Sequence, residues 1–198
     1  DNLDRVADPE LVKQARGFAG QEAVHGREHE RYFEVLRGQG YRFDRFLHAF
    51  RWLDRQVSRW PRSLRLAMTA GAEHYTATLG HFVLAGEAAN GFHPTMQKLV
   101  VWHATEEVEH KSVAFDVMQA VGIGYPTRIL GFLLASLVLV SFTAVGSRML
   151  MRQDGLDRSQ IRTARAELRR RDDPELVRAT GRQLKAYFRR DFHPDQFD

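Results

Sequence analysis

Apolar side chains recur at helical spacing along nearly the whole chain, and no stretch alternates apolar and polar residues as a half-buried strand does. The pattern predicts an all-α protein. A first helix starts at Asp8-Pro9-Glu10, where Asp8 can cap and proline suits the first helical position, and runs to about Arg37 before Gly38 and Gly40. A second is expected from about Phe43 to Val57, with Phe43, Phe46, Leu47, Phe50, Leu53 and Val57 turned inward and Arg45, Arg51, Arg55 and Arg59 on a solvated face. Trp60-Pro61 interrupts the chain, and a third helix follows from about Ser63 to Ala89. The fourth is expected as one piece from about Thr95 to Val121, ended by Gly122, Gly124 and Pro126. From about Arg158 the pattern gives an Arg/Glu-dense helix, then a new helix start at Asp173-Pro174-Glu175.

Between these lies Ile129 to Ser147, a stretch with no charged residue. Its length sits between that of a buried core helix and that of a membrane span, which needs roughly 20 apolar residues. Gly131, Ser136, Ser141, Thr143 and Gly146 dilute it, which favours burial or docking on a membrane surface over a span. Arg148 and Arg152 follow closely, and a span would leave them on the cytoplasmic side. The organisation read from this is a helical bundle over residues 1–125, with the apolar helix and the Arg-rich helices of 126–198 packed on or beside it.

Composition changes the picture in two places. The net charge of +4 is uneven, because residues 1–147 hold 16 basic and 16 acidic side chains while 148–198 hold 13 and 9. That C-terminal excess lacks the basic stripe on a recognisable module that nucleic-acid binding would require, so anionic lipid is the better-matched partner and no nucleic acid is expected. The chain also has no cysteine, which excludes iron–sulfur clusters, disulfides and thiol nucleophiles. The first ten residues show no signal peptide, and the reading is a cytoplasmic protein, at the inner membrane face if the apolar helix meets lipid.

The chemistry sits in two helices. Glu22 and His25 form a Glu-x-x-His motif, and His103, Glu107 and His110 form His-x-x-x-Glu-x-x-His. At about 100° per residue the last three fall within about 60° of one another on one helix face. Val100, Val101, Trp102, Val108, Val113, Ala114 and Phe115 surround them with apolar side chains, and burying three ionisable groups without a charge partner would be very costly. Coordination of a metal is the economical account. Glu73, in the middle of the third helix, is a candidate bridging carboxylate, as is Glu107; His29, one turn beyond His25, and Tyr75 are candidates for supporting hydrogen bonds. His74 points about 100° away from Glu73. His48, His81 and His93 read as structural or surface groups, as does Glu87 unless it supplies a further ligand. Glu106 and Glu109 are expected to face water.

Gly20-Gln21-Glu22-Ala23-Val24-His25-Gly26-Arg27-Glu28-His29, then Glu73-His74-Tyr75-Thr76, then Trp102-His103 through Glu107-Val108-Glu109-His110-Lys111 resemble the bacterial family described as predicted metal-dependent hydrolase. The likeness runs from about Asp8 into the C-terminal region. The ligand pattern alone is similar to that of ferritin-like di-iron oxygenases that convert aryl amines to nitro compounds. Both resemblances imply a further glutamate on a helix upstream of Glu22, which this sequence does not supply.

The expectation is a ferritin-like helical bundle holding two transition-metal ions, iron first and manganese or zinc as alternatives, through Glu22, His25, Glu73, His103, Glu107 and His110. Iron would oxidise a small apolar substrate with dioxygen; a redox-inert ion would acidify water for hydrolysis of an ester or amide. No Gly-x-Ser-x-Gly nucleophile is present, so hydrolysis would have to be metal-driven. The rival from another class is a non-catalytic, membrane-associated protein whose metal is a structural clamp or store. A second copy of the chain is a further partner for the apolar helix.

Overall fold

The computed structural model describes residues 2–86, 89–171 and 173–197, the side chains of 168, 169 and 171 excepted. The candidate Glu87 therefore lies outside the described residues. Among the described residues there is no strand, and the fold is all-α as the periodicity predicts. The helices are α1 (Pro9–Gly38), α2 (Asp44–Val57), α3 (Arg62–Ala85), α4 (Pro94–Glu109), α5 (Val113–Ala120), α6 (Tyr125–Gln153), α7 (Arg158–Arg171) and α8 (Pro174–Ala186). Asp8 caps α1 by accepting from the Glu10 amide, and Asp173 does the same for α8 through Glu175.

The helix expected from Thr95 to Val121 is two helices. It stops at Glu109, and His110 is its C-cap with φ −103° and ψ 13°, before α5 begins at Val113. The apolar pattern is continuous across the break, so spacing merges the pair. What lies there instead is an anchorage: Lys111 donates to the Phe197 carbonyl and Ser112 Oγ to Asp195, tying this corner to the C-terminal segment. The third helix ends at Ala85, with Gly86 as its C-cap, four residues short of the expected Ala89.

α3 is the central element, packing against α4, α5, α6 and α8. Small residues let it come close. A Cβ on Gly71 would lie 2.6 Å from the Phe132 Cα, one on Gly131 would lie 2.5 Å from the Ala67 carbonyl carbon, and one on Gly80 would lie 2.8 Å from the Ala104 oxygen. The first two set the α3–α6 crossing and the third sets α3–α4. The main core closes around it with Phe115, Met118, Phe132, Tyr187 and Phe192, each large side chain contributing about 1.5–3 kcal/mol when fully buried. Buried Arg128 donates to the Tyr187 and Arg189 carbonyls past the end of α8 and lies against the rings of Tyr125 and Tyr187, so this cation is used structurally. A second core joins the end of α1, α2 and the end of α6 through Leu36, Phe43 and Leu47.

The apolar helix is not buried in the centre of the bundle. Only its inner side packs, through Gly131, Phe132 and Ala135. It extends four residues before and six after the uncharged stretch, and its outer side meets solvent.

Candidate metal centre

Three helices bring the predicted donors together. α1 supplies Glu22 and His25, α3 supplies Glu73, and α4 with its cap supplies His103, Glu107 and His110. Glu22, His25, Glu107 and His110 each offer one ligand atom, and these four atoms lie within 4.8 Å of one another. α4 also comes close to α3 at Gly80, and at the cluster the two are joined by the His110–Glu73 contact.

The donors face one another without satisfying one another. His25 Nδ1 lies 3.3 Å from Glu22 Oε1 and 3.5 Å from Glu107 Oε1, and His110 Nε2 lies 3.4 Å from Glu22 Oε1. Glu22 Oε1, His25 Nδ1 and His110 Nε2 are all buried with no hydrogen-bond partner. An unmet buried polar atom costs about 1–3 kcal/mol, so three at one point are a substantial penalty for a cluster with no cation. One positive ion satisfies all three at once, and the donor set of carboxylate oxygen and imidazole nitrogen fits a transition metal. These residues fit a metal.

The outer nitrogens are oriented from behind. His110 Nδ1 donates to Glu73 Oε2 at 2.8 Å, and His25 Nε2 donates to Glu106 Oε2 at 2.8 Å, tautomers assigned from these partners. Each leaves the opposite nitrogen's lone pair directed into the cluster, the usual device for presenting a ligating imidazole. Glu73 thus meets the back of His110. Glu106, expected in water, is the residue that sequence reasoning missed. Its position one step before Glu107 puts it about 100° round α4, toward α1, and only the α1–α4 packing reveals the partner.

Electrostatics follow the geometry. Burial pushes the Glu73 carboxyl up to about 7, although the His110 hydrogen bond opposes the rise. Burial also works to raise Glu107, but hydrogen bonds from His103 and Thr76 outweigh it and hold that carboxyl below its ordinary value. Burial works to lower His110, and the carboxylates of Glu73, Glu107 and Glu22 outweigh it, so its pKa is raised.

The remaining candidates occupy the periphery. His103 Nε2 sits 3.2 Å from Glu107 Oε1, with its ring 4.2 Å from that of His25. His29 stands 5.4 Å from the His103 ring, open to solvent, its pKa lowered by partial burial and by the imidazoles of His103 and His25. Tyr75 is half-buried, and among the described residues no hydrogen bond ties it to the cluster; Thr76 is the α3 neighbour bonded to Glu107. His74 faces away, donating to the Gln183 carbonyl among Tyr187, Phe132 and Phe192. His93 caps α4.

Against the cluster lies a cavity of about 340 Å³. Leu79, Val83, Met96, Leu99, Val100 and Trp102 give it an apolar wall, and His103 and Glu107 belong to both cavity and cluster. His29 and Tyr32 stand at its α1 side.

The fold and site together define a helical metal-binding protein, with carboxylates and imidazoles gathered from three helices beside an apolar cavity. The chain belongs to the family described as predicted metal-dependent hydrolase, whose model matches residues 1–198. Neither the curated proteins nor the solved structures contain a match to it.

Proposed function

We propose that the protein is a di-metal enzyme that activates dioxygen against a small apolar substrate held in the cavity beside the cluster. The observation that carries this reading is that His103 and Glu107 are at once cavity wall and neighbours of the unpaired donor atoms. A structural clamp needs a closed shell, whereas a reactive ion needs a side open to its substrate. Glu22, His25, His103, Glu107 and His110 would hold the metals. Glu22 faces imidazoles of both α1 and α4, and Glu107 faces both His25 and His103, so these two carboxylates are the shared ones. Glu73 and Glu106 hold protons on the outer nitrogens of His110 and His25, keeping both rings in the ligating tautomer. Iron bound there would supply the one-electron chemistry that dioxygen requires. The apolar wall positions a substrate without offering it hydrogen bonds.

A second reading, metal-driven hydrolysis, is supported by the family's description. Ferrous-loaded protein, mixed with air-saturated buffer, is expected to consume oxygen faster than free ferrous ion and to change its visible absorption, and His110→Ala is expected to abolish both effects. If the iron form is inert to oxygen while the zinc or manganese form cleaves p-nitrophenyl esters, hydrolysis takes its place. Inertness in all three forms, with the metal retained, would leave the structural clamp.

A further inference from the structure

α6 is packed on one side and bare on the other. Its inner side meets α3 at Gly131 and Phe132, and it meets α2 where Phe142 lies against Phe46 and Phe50. Its outer side leaves Leu130, Leu133, Leu137, Val140 and Val145 between 49% and 63% exposed. At about 100° per residue Leu130, Leu133, Leu137 and Val140 fall within about 80° of one another, with Val145 about 60° to the other side of Leu130, so the five form a broad apolar face about 22 Å long at 1.5 Å per residue. Beside the stripe runs a groove of about 460 Å³ between α2 and α6, walled by Phe46, Phe50, Leu53, Trp60, Leu134 and Val138. An exposed apolar surface of this continuity calls for a partner.

The charges around it select which one. α6 contains three arginines and no carboxylate. At its C-terminal end the chain turns through Gly155, at φ +77°, into α7, and Arg148, Arg152, Arg158, Arg162 and Arg165 line an open groove of about 980 Å³ over Leu156 and Ile161. The one carboxylate in that lining, Asp157, is spent on capping the amides of Ser159 and Gln160. A second copy seated on the stripe through its own α6 would bring the same carboxylate-free helix, with no acidic side chain of that helix to set against the five guanidinium groups. A bilayer offers hydrocarbon for the stripe and phosphate for the arginines.

We propose that the protein docks on an anionic membrane surface through α6, with the leucine and valine stripe sunk to the acyl boundary and the arginine groove set among lipid phosphates. The helix lies in the plane of the interface, because its inner side is committed to α2 and α3 and a span would drag the exposed Arg45, Arg51 and Arg55 of α2 toward the hydrocarbon. The proposal is independent of the reaction at the metal centre.

Co-sedimentation of the full chain with vesicles tests it. The protein is expected to pellet with an equal mixture of phosphatidylcholine and phosphatidylglycerol, to stay in solution with phosphatidylcholine alone, and to be released by salt. Arg148→Gln with Arg152→Gln should weaken partition by roughly fivefold for each arginine removed. Leu133→Asp with Leu137→Asp should abolish it while helical content by circular dichroism is unchanged; should that variant lose helix, the arginine variant decides, since its replaced side chains are exposed. Failure of the native chain to bind the mixed vesicles, or equal binding by native chain and arginine variant, overturns the proposal. So does a lipid-free dimer that Leu137→Asp dissociates, which would make a second copy the occupant.

Discussion

The crossing of α3 and α6 is the contact on which the bundle's geometry depends, and it can be stressed by a single methyl group. In Gly131→Ala the new Cβ would lie 2.5, 2.6 and 2.7 Å from the carbonyl carbon, Cβ and oxygen of Ala67. Carbon atoms rest at about 3.5–4.0 Å, so the two helices must part by roughly 1 Å, and two of the three opposing atoms are backbone that cannot rotate away. Overpacking of this kind costs about 1–3 kcal/mol, and the gain in helix propensity on replacing glycine by alanine returns about 1 kcal/mol. The net expectation is a loss of about 1 kcal/mol, and of about 2 kcal/mol at most. Gly17→Ala is the control, because nothing lies within 4 Å of its would-be Cβ, and it should gain up to about 1 kcal/mol. Urea denaturation of metal-free protein, followed by helical circular dichroism, reads both as shifts of midpoint at constant slope. Gly71→Ala should behave like Gly131→Ala, and since Gly71 lies two residues before Glu73, it should also loosen metal retention through the Glu73–His110 contact. A Gly131→Ala midpoint at or above the native value, or an equal fall in Gly17→Ala, would refute the close crossing.

Removing the Glu106 carboxylate (Glu106→Ala) should lower metal affinity about 10- to 100-fold, as loss of a partner behind a ligating histidine does, whereas Glu109→Ala on the exposed side of α4 should not; competition with a chromophoric chelator measures this, and equal affinities would remove Glu106 from the site. The double variant His25→Ala with His110→Ala should retain no metal by elemental analysis, while His93→Ala, an α4 cap, should retain it in full. Burial lowers the His74 pKa from 6.5 to about 4, so between those values the unfolded chain binds a proton that the native chain refuses. The His74 contribution to the stability of metal-free protein should therefore be complete above pH 6.5 and be lost by up to about 3 kcal/mol as the pH falls to 4, against an opposite contribution from Glu73, whose raised pKa makes the native chain hold a proton that the unfolded chain releases. His74→Gln should flatten that decline, and an unchanged pH profile would refute the assignment.

The sequence by itself determined the all-α class, the starts of α1 and α8, and the donor types at the metal centre. Those are local properties: a cap acts within a turn, and residues at i, i+3 and i+4 share a helix face whatever the helix packs against. His103, Glu107 and His110 could be grouped on that ground alone, and Glu22 with His25 by the same spacing. Tertiary structure decided which face meets which. Periodicity cannot say that Glu73 stands behind His110, that Glu106 reaches His25 across the α1–α4 contact, or that an unbroken apolar pattern hides a break at His110. Nor could it divide α6 into an inner side held by Gly71 and Ala67 and an outer stripe left bare, because an apolar helix looks the same from every side until its neighbours cover one of them.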